Sequence, residues 1–246
     1  DKYLRKNTKA IVITAESNVS GALTDLDYIY DFAIDHDLLV IIDGAQAAGT
    51  VKIKFNERKY PRIIFCLTGH KALFGPSGTG AIIDLSGEKF KNIFTGGSGV
   101  NSFDRFNPVD MPDVFEYGTI NFHSIIALGA GVKFIDEVGI DEVSAKIHGL
   151  RKKLFWGIKD IPGIKLYSNE KDSSIVSFNY KDYASSEVSE NLYKMSKIAS
   201  RGGIHCAPLF HERVGTKSQG IVRLSLSYFN NEDEIDKTIE TIKKLK

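Results

Sequence analysis

Cysteine is scarce in this sequence: two thiols, Cys66 and Cys206, in 246 residues. A disulfide scaffold needs more, so the expectation is a reducing compartment, the cytoplasm. Charge of one sign is scarce too. Lys and Arg number 32 against 31 Asp and Glu, a formal net charge of +1. That balance offers no handle for nucleic acid or an acidic membrane. Long apolar runs are missing. The best, Ser124 to Ile135, is cut by Gly129, Ala130, Gly131 and Lys133, and a membrane span needs roughly 20 apolar residues. No paired His or Cys spacing suggests a metal. "GPSGTG" lacks the lysine of a phosphate-gripping P-loop, and "SNVSGAL" lacks the glycines of a dinucleotide fingerprint. Neither a secretory leader nor an internal repeat is visible. The first residue is Asp, and "DKYLRKN" reads as the tail of a helix already under way. The chain is expected to begin inside a longer protein.

What is there has the rhythm of a layered α/β fold. "KAIVIT" (9–14), "LLVII" (38–42), "RIIFCL" (62–67) and "GAIIDL" (80–85) are short runs rich in Ile, Val and Leu. The first three lack polar alternation, as in strands buried on both faces of a parallel sheet. Between the first two, Leu26, Ile29, Tyr30, Ala33 and Ile34 recur at helical spacing, which makes a βαβ unit. Residues 90–122 read as irregular, and a helix is expected over 124–136, where Gly129, Ala130 and Gly131 permit close packing.

The later half reads as a smaller α+β unit. Asp141 is expected to cap a helix with a stripe of Val143, Ile147, Leu150, Leu154 and Ile158. Strands are expected at 164–167, 174–180 and 221–229, and a helix at 186–198. A final helix capped by Asn231 turns Ile235, Ile239, Ile242 and Leu245 inward. The expected division is 1–125 and 126–246.

In open α/β sheets, ligands bind beyond the carboxyl ends of the strands. Asn18 follows the first run, Asp43 and Gln46 the second, and Thr68, His70 and Lys71 the third. Each has a plainer role when taken alone. Asp43 suits a helix N-cap, Asn18 and Gln46 suit turns, and a loop lysine is usually a solvated charge. Together they supply what pyridoxal phosphate uses: an amine for its aldehyde, a carboxylate for its ring nitrogen, and hydroxyl and amide donors for its phosphate.

"LLVIIDGAQAAG" followed by "TGHKALFGPSGTGAI" resembles the class V aminotransferase family of pyridoxal-phosphate enzymes, fold type I. Further on, "FEYGTINFHSIIALGAGVKFI", "RGGIHCAPLFH" and "VRLSLSYFNNEDEID" resemble the cysteine desulfurases within it. The likeness runs over essentially the whole chain. It implies a mostly parallel sheet flanked by helices, forming part of a large domain, followed by a C-terminal α+β small domain. It also implies roles. Lys71 would bond the cofactor aldehyde and later move the substrate α-proton, Asp43 would pair with the ring nitrogen, and Gln46 would meet the phenolic oxygen. Asn18 would lie near that oxygen and the substrate carboxylate, while Thr68 and His70 would contact the phosphate. Thr119 would reach the phosphate of a partner subunit's cofactor, which implies a homodimer. Arg223 would clamp the carboxylate of L-cysteine or L-selenocysteine, with Arg201 a further basic candidate. Cys206 would be the nucleophile that takes the sulfur as a persulfide, releases alanine and passes the sulfur to an acceptor protein. Such sulfur feeds metabolism including iron–sulfur cluster assembly. Arg201 and His205 stand beside it in sequence, and neighbouring positive charge favours a thiolate. Cys66, inside an apolar run, reads as inert core.

The sequence also departs from the family. Relatives carry a further N-terminal segment with a Gly/Thr phosphate loop and a histidine that stacks on the ring. Without those donors, each worth about 1.5–3 kcal/mol when charge-assisted, the chain alone is expected to bind cofactor weakly or not at all. Ala15 and Glu16 stand where relatives often read His-Ala or His-Met, which removes a polar contact near the substrate. A selenocysteine lyase, another class V enzyme, and a shortened chain that dimerises without catalysis remain open alternatives.

Overall fold

In the computed structural model, residues 2–55, 62–171 and 173–245 are described. The first sheet contains β1 (Ala10–Thr14), β2 (Leu39–Asp43), β3 (Ile63–Thr68) and β4 (Gly80–Asp84) in spatial order β1-β2-β3-β4. The first three are parallel and β4 is antiparallel to β3. Between β1 and β2 runs α1 (Leu26–Asp35), whose N-cap Asp25 accepts from the Tyr28 amide. The α/β organisation with a mostly parallel first sheet is as the sequence leads one to expect.

Register fixes which side chains share a face. Ile11 is level with Val40 and Ile63, and Ile13 with Ile42 and Phe65. These six gather in one cluster with Tyr30 and Ala33 of α1. The opposite face carries Val12, Ile41 and Ile64; Ile64 of β3 is buried, as expected of a strand covered on both faces, but at β1 and β4 that expectation fails. Val12 is 73% exposed and Ile82 of β4 is 45% exposed. Among the described residues α1 covers one side of the sheet, so the continuous apolar runs outnumber the surfaces that bury them. Cys66 likewise is half-buried rather than deep core.

Beyond a 3-10 turn at Asp113–Phe115, α2 (Phe122–Val138) and α3 (Ile140–Lys159) follow. Asn121 caps α2 by accepting from the Ser124 amide, which starts it two residues before the expected position. Gly139, at φ +90°, holds the N-cap position of α3. Asp141 therefore does not cap; it sits in the first turn, where a carboxylate favours the helix dipole, and bonds Lys52 Nζ at 2.7 Å. The N-terminal residues are turns, closed by Arg5 and Thr8, rather than the tail of a helix.

The second sheet, in order β5-β6-β8-β7, is wholly antiparallel: β5 (Ile164–Leu166), β6 (Ile175–Tyr180), β7 (Arg201–Gly203) and β8 (Ile221–Ser225). The helices α4 (Ser185–Ser196), α5 (Pro208–Val214) and α6 (Glu232–Lys243) complete this half. The stripe Val143, Ile147, Leu150, Leu154 and Ile158 packs on β6, β8 and α6 in one core. Burying such a side chain contributes about 1.5–3 kcal/mol each. Asn231 and Glu234 form the capping box of α6. The strand expected over 221–229 ends at Ser225. Tyr228 and Phe229 instead turn into an aromatic cluster with Phe74 and Phe134.

The two halves meet through the loop after β1. Ser168 Oγ donates to Ser20 O at 2.7 Å, the Ser173 amide to Gly21 O at 2.9 Å, and Ser177 Oγ to Val19 O. Arg223 Nη1 donates to Asn18 O at 2.7 Å. Four consecutive carbonyls of one half thus accept from the other half.

The small residues of α2 divide by environment. A Cβ on Gly131 would lie 2.1 Å from Leu73 O, whereas one on Gly129 meets nothing within 4 Å. Helix propensity favours Ala over Gly by about 1 kcal/mol. Gly129→Ala should therefore raise stability by about that amount. Gly131→Ala should lower it, because a backbone clash of the overpacking kind costs about 1–3 kcal/mol. Urea melts of both variants decide it, and equal shifts would refute the packing argument.

Candidate active site

Lys71 stands three residues beyond β3, in a loop closed on itself. The Gly69 amide donates to Thr79 O, the Gly75 amide to Gly69 O, and the Phe74 amide to Lys71 O. Phe74 adopts φ +57° and anchors that backbone, its ring centroid 5.0 Å from that of Phe229 and 5.9 Å from that of Phe134. The lysine thus leaves a rigid platform rather than a floppy loop.

Lys71 lines a cleft of about 280 Å³ together with Gln46, Thr50, Ser174 and Arg223. Burial holds the Lys71 amine below the usual lysine range, and Arg223 adds to that effect, while Asp43 and Glu16 oppose it. The side chain remains partly solvent-exposed, so water screens part of this interplay. The practical consequence is an amine that sheds its proton more readily than a free lysine, as a nucleophile toward a carbonyl must.

Asp43 ends β2 in register with Cys66. Its Oδ1 accepts from the Ala45 amide at 2.9 Å. That bond forms an Asx turn, since residues 45–50 are turns and not the helix a capping aspartate would start. Burial pushes the Cys66 thiol up, with Asp43 adding to the effect, so Cys66 is held in its less reactive protonated form. Thr68 Oγ1 lies 2.9 Å from His70 Nδ1, which pairs the two residues expected at a phosphate.

Arg223 lies on β8 opposite Arg201 of β7. Its guanidinium is half-buried, and its Nε is buried without a hydrogen-bond partner among the described residues. Burial first, and then Arg201, lower its pKa, yet a guanidinium stays charged at physiological pH. A buried cationic donor beside a second cation is a site for an anion.

Cys206 is exposed, in the turn between β7 and α5. His205 and Cys206 have φ of +53° and +57°. Successive non-glycine residues rarely occupy this left-handed region, and about 1–2 kcal/mol each opposes it. Two bonds hold the turn: Asn18 Nδ2 donates to His205 O at 2.8 Å, and His205 Nε2 meets Ile221 O at the same distance. Because a carbonyl only accepts, Nε2 carries the proton. Burial holds His205 below the usual imidazole range. It is neutral at pH 7 and brings no positive charge to Cys206, contrary to the sequence expectation. Its role is geometric.

Of the expected residues, Gln46, Lys71 and Arg223 line the cleft; Asn18 bonds both Arg223 and the His205 turn beside Cys206, Asp43 acts on the Lys71 amine from the end of β2, and Thr68 and His70 pair beyond β3. Arg201 is exposed at the sheet edge. Thr119 is exposed in the loop before α2 and forms no part of the cleft. Thr50, Ser174 and Phe74 escaped the sequence reading, since isolated hydroxyls and a loop phenylalanine carry no motif.

The comparisons speak to family and fold. The Aminotransferase class-V family matches residues 1–238. A cysteine desulfurase of Wigglesworthia glossinidia brevipalpis is 32% identical over 257 residues, across 100% of this chain and 60% of that protein. A probable cysteine desulfurase of Methanothermobacter thermautotrophicus is 29% identical across 98% of this chain and 61% of its own length. Among solved structures, the cysteine desulfurase CsdA of Escherichia coli superposes with a TM-score of 0.84 at 23% identity, covering 98% of this chain and 60% of that one. At that identity the likeness speaks for the fold. The chain spans about 60% of the length of the curated relatives it matches. With residues 1–238 matched in order, the chain belongs to the aminotransferase class-V family.

Proposed function

We propose that this chain carries the catalytic residues of a pyridoxal-phosphate-dependent cysteine desulfurase. The observation that carries the reading is that Lys71 and Arg223 line one cleft, with the Asp43 carboxylate acting on the Lys71 amine and Asn18 tying Arg223 to the strained turn that displays Cys206. The donor set fits the cofactor: an amine of lowered proton affinity for the aldehyde, a carboxylate for the ring nitrogen, and Gln46 for the phenolic oxygen. Thr68 and His70 serve the phosphate, and the orphaned Arg223 Nε suits a carboxylate ligand. When bound, pyridoxal phosphate supplies a protonated ring that accepts an electron pair from the substrate carbon.

The chain's own residues account for the rest. Arg223, with Asn18 beside it, orients the L-cysteine carboxylate. Lys71 removes the α-proton and later returns a proton to carbon. The Cys206 thiolate attacks the substrate sulfur, so an S–S bond forms as the C–S bond breaks. The carbon keeps that electron pair and takes a proton, leaving alanine and a Cys206 persulfide for an acceptor protein. A reducing compartment such as the cytoplasm keeps Cys206 a thiol between turnovers. We divide the chain at 1–125 and 126–246, a reading supported by the two separate sheets. We also infer a homodimer, supported by the exposed apolar side chains Phe122, Ile125, Ile126 and Val132 along α2.

Three outcomes are expected. Incubation with pyridoxal phosphate and reduction with borohydride should leave a pyridoxyl group on Lys71 by mass spectrometry, and a label confined to other lysines would refute the site. Cys206→Ser should abolish cyanide-releasable persulfide sulfur while leaving the Lys71 label intact; persulfide surviving in that variant would sink the nucleophile assignment. Light scattering should give twice the chain mass, and Ile126→Glu should halve it, whereas a wild-type monomer would exclude the dimer.

A further inference from the structure

Glu16 lies where the family resemblance leads one to expect no acid, and it is 0% exposed. It leaves the loop after β1, directly before the carbonyls that the second half grips. Its Oε1 accepts from Ser174 Oγ at 2.9 Å and from the Ser174 amide at 3.4 Å, and its Oε2 lies 3.0 Å from Thr50 Oγ1. Thr50 and Ser174 both line the cleft that holds Lys71 and Arg223. A single side chain therefore ties together the loop that carries Gln46 and the start of β6, the strand beside Arg223.

The Thr50 hydroxyl reveals the form of this tie. Gln46 O, Ala47 O and Glu16 Oε2 all lie 3.0 Å from Thr50 Oγ1, yet a hydroxyl has one proton to give. If Thr50 donates to a backbone carbonyl, the Glu16 contact is a bond only when Glu16 itself carries a proton. We propose that Glu16 is a positioning residue, held as the neutral acid, that donates to Thr50, accepts from Ser174 and so sets the width of the cleft between Lys71 and Arg223. This rests on the proposed reading of that cleft as the cofactor and substrate site.

The electrostatics agree. Burial raises the Glu16 pKa above its ordinary 4.5, against opposing hydrogen bonds from Ser174, Thr50 and Ser173. Those partners are uncharged, and the charged group set against Glu16 is Lys71, whose amine an ionised Glu16 would hold charged and the neutral acid does not. A carboxyl whose folded pKa is raised stabilises the fold fully below the unfolded value and loses that contribution as pH rises through the folded one.

Glu16→Gln mimics the protonated acid, since its amide nitrogen donates and its oxygen accepts. Two measurements test the proposal. In the first, melting temperature is followed from about pH 4.5 upward. The wild type should lose stability relative to Glu16→Gln as pH rises, and parallel profiles would overturn the neutral-acid tie. In the second, the pyridoxal phosphate concentration that half-saturates borohydride labelling of Lys71 should rise about tenfold in Glu16→Ala and return to the wild-type value in Glu16→Gln. Labelling of Glu16→Ala at wild-type concentrations, or a Glu16→Gln value as high as that of Glu16→Ala, would overturn the positioning role. Should Glu16→Ala not fold, the pH comparison with Glu16→Gln decides alone. No wild-type label on Lys71 at all would refute the cleft reading, while the melting profiles would still judge Glu16.

Discussion

The grip of the second sheet on the loop after β1 is the constraint on which the site depends. Carbonyls are obligatory acceptors, and burying one without a donor costs about 1–3 kcal/mol. Residues 18–21 offer four in a row, and Arg223, Ser177, Ser168 and the Ser173 amide answer them. Apolar contact alone would let the two halves slide, because it has no direction. Hydrogen bonds to successive carbonyls fix register. Arg223 on β8 and Lys71 in the loop beyond β3 therefore share one cleft in a defined arrangement.

The same loop sustains the strained turn at His205 and Cys206. Left-handed backbone at both His205 and Cys206 is unfavourable and survives only where surroundings over-determine it. Asn18 holds the His205 carbonyl from one half, and Ile221 holds its imidazole from the other. Burial that keeps His205 neutral also keeps this second bond simple: one N–H, one carbonyl. The result is an exposed thiol on a turn whose base is fixed, so reach comes from the short segment around Cys206 rather than from the sheets.

Much of this was legible in the sequence because periodicity and strand ends are local signals. The runs at 9–14, 38–42 and 62–67 gave the parallel strands, and the polar residues just past them gave Asn18, Asp43, Gln46, Thr68 and Lys71. What escaped is non-local. Nothing in "SNEKDSSIVS" says that its serines reach a loop some 150 residues earlier. An apolar run reads alike whether one face or two is covered, so the exposure of Val12 was hidden. The short strand β7 had no apolar pattern to betray it, since "RGG" pairs through backbone alone. His205 was misjudged because charge depends on burial, and sequence adjacency to Cys206 carries no burial.

Charge distribution in the cleft shows why these parts suit an anionic, carbonyl-bearing ligand. Lys71 and Arg223 line the cleft, and Arg201, exposed at the sheet edge, pairs with Arg223 across β7 and β8. Asp43 returns one negative charge. Like charges this close disfavour one another unless an anion intervenes, and a half-buried guanidinium with an orphaned Nε has a directed donor to spare. Lys71 resolves its share of the repulsion by a lowered proton affinity, while the arginines cannot. The amine is thereby pushed toward the form that bonds carbonyl carbon, and the Arg223 guanidinium remains to receive carboxylate or phosphate oxygen. Burial and like-charge repulsion, which would destabilise an ordinary surface, here separate a nucleophile from an anion receptor within a single cleft.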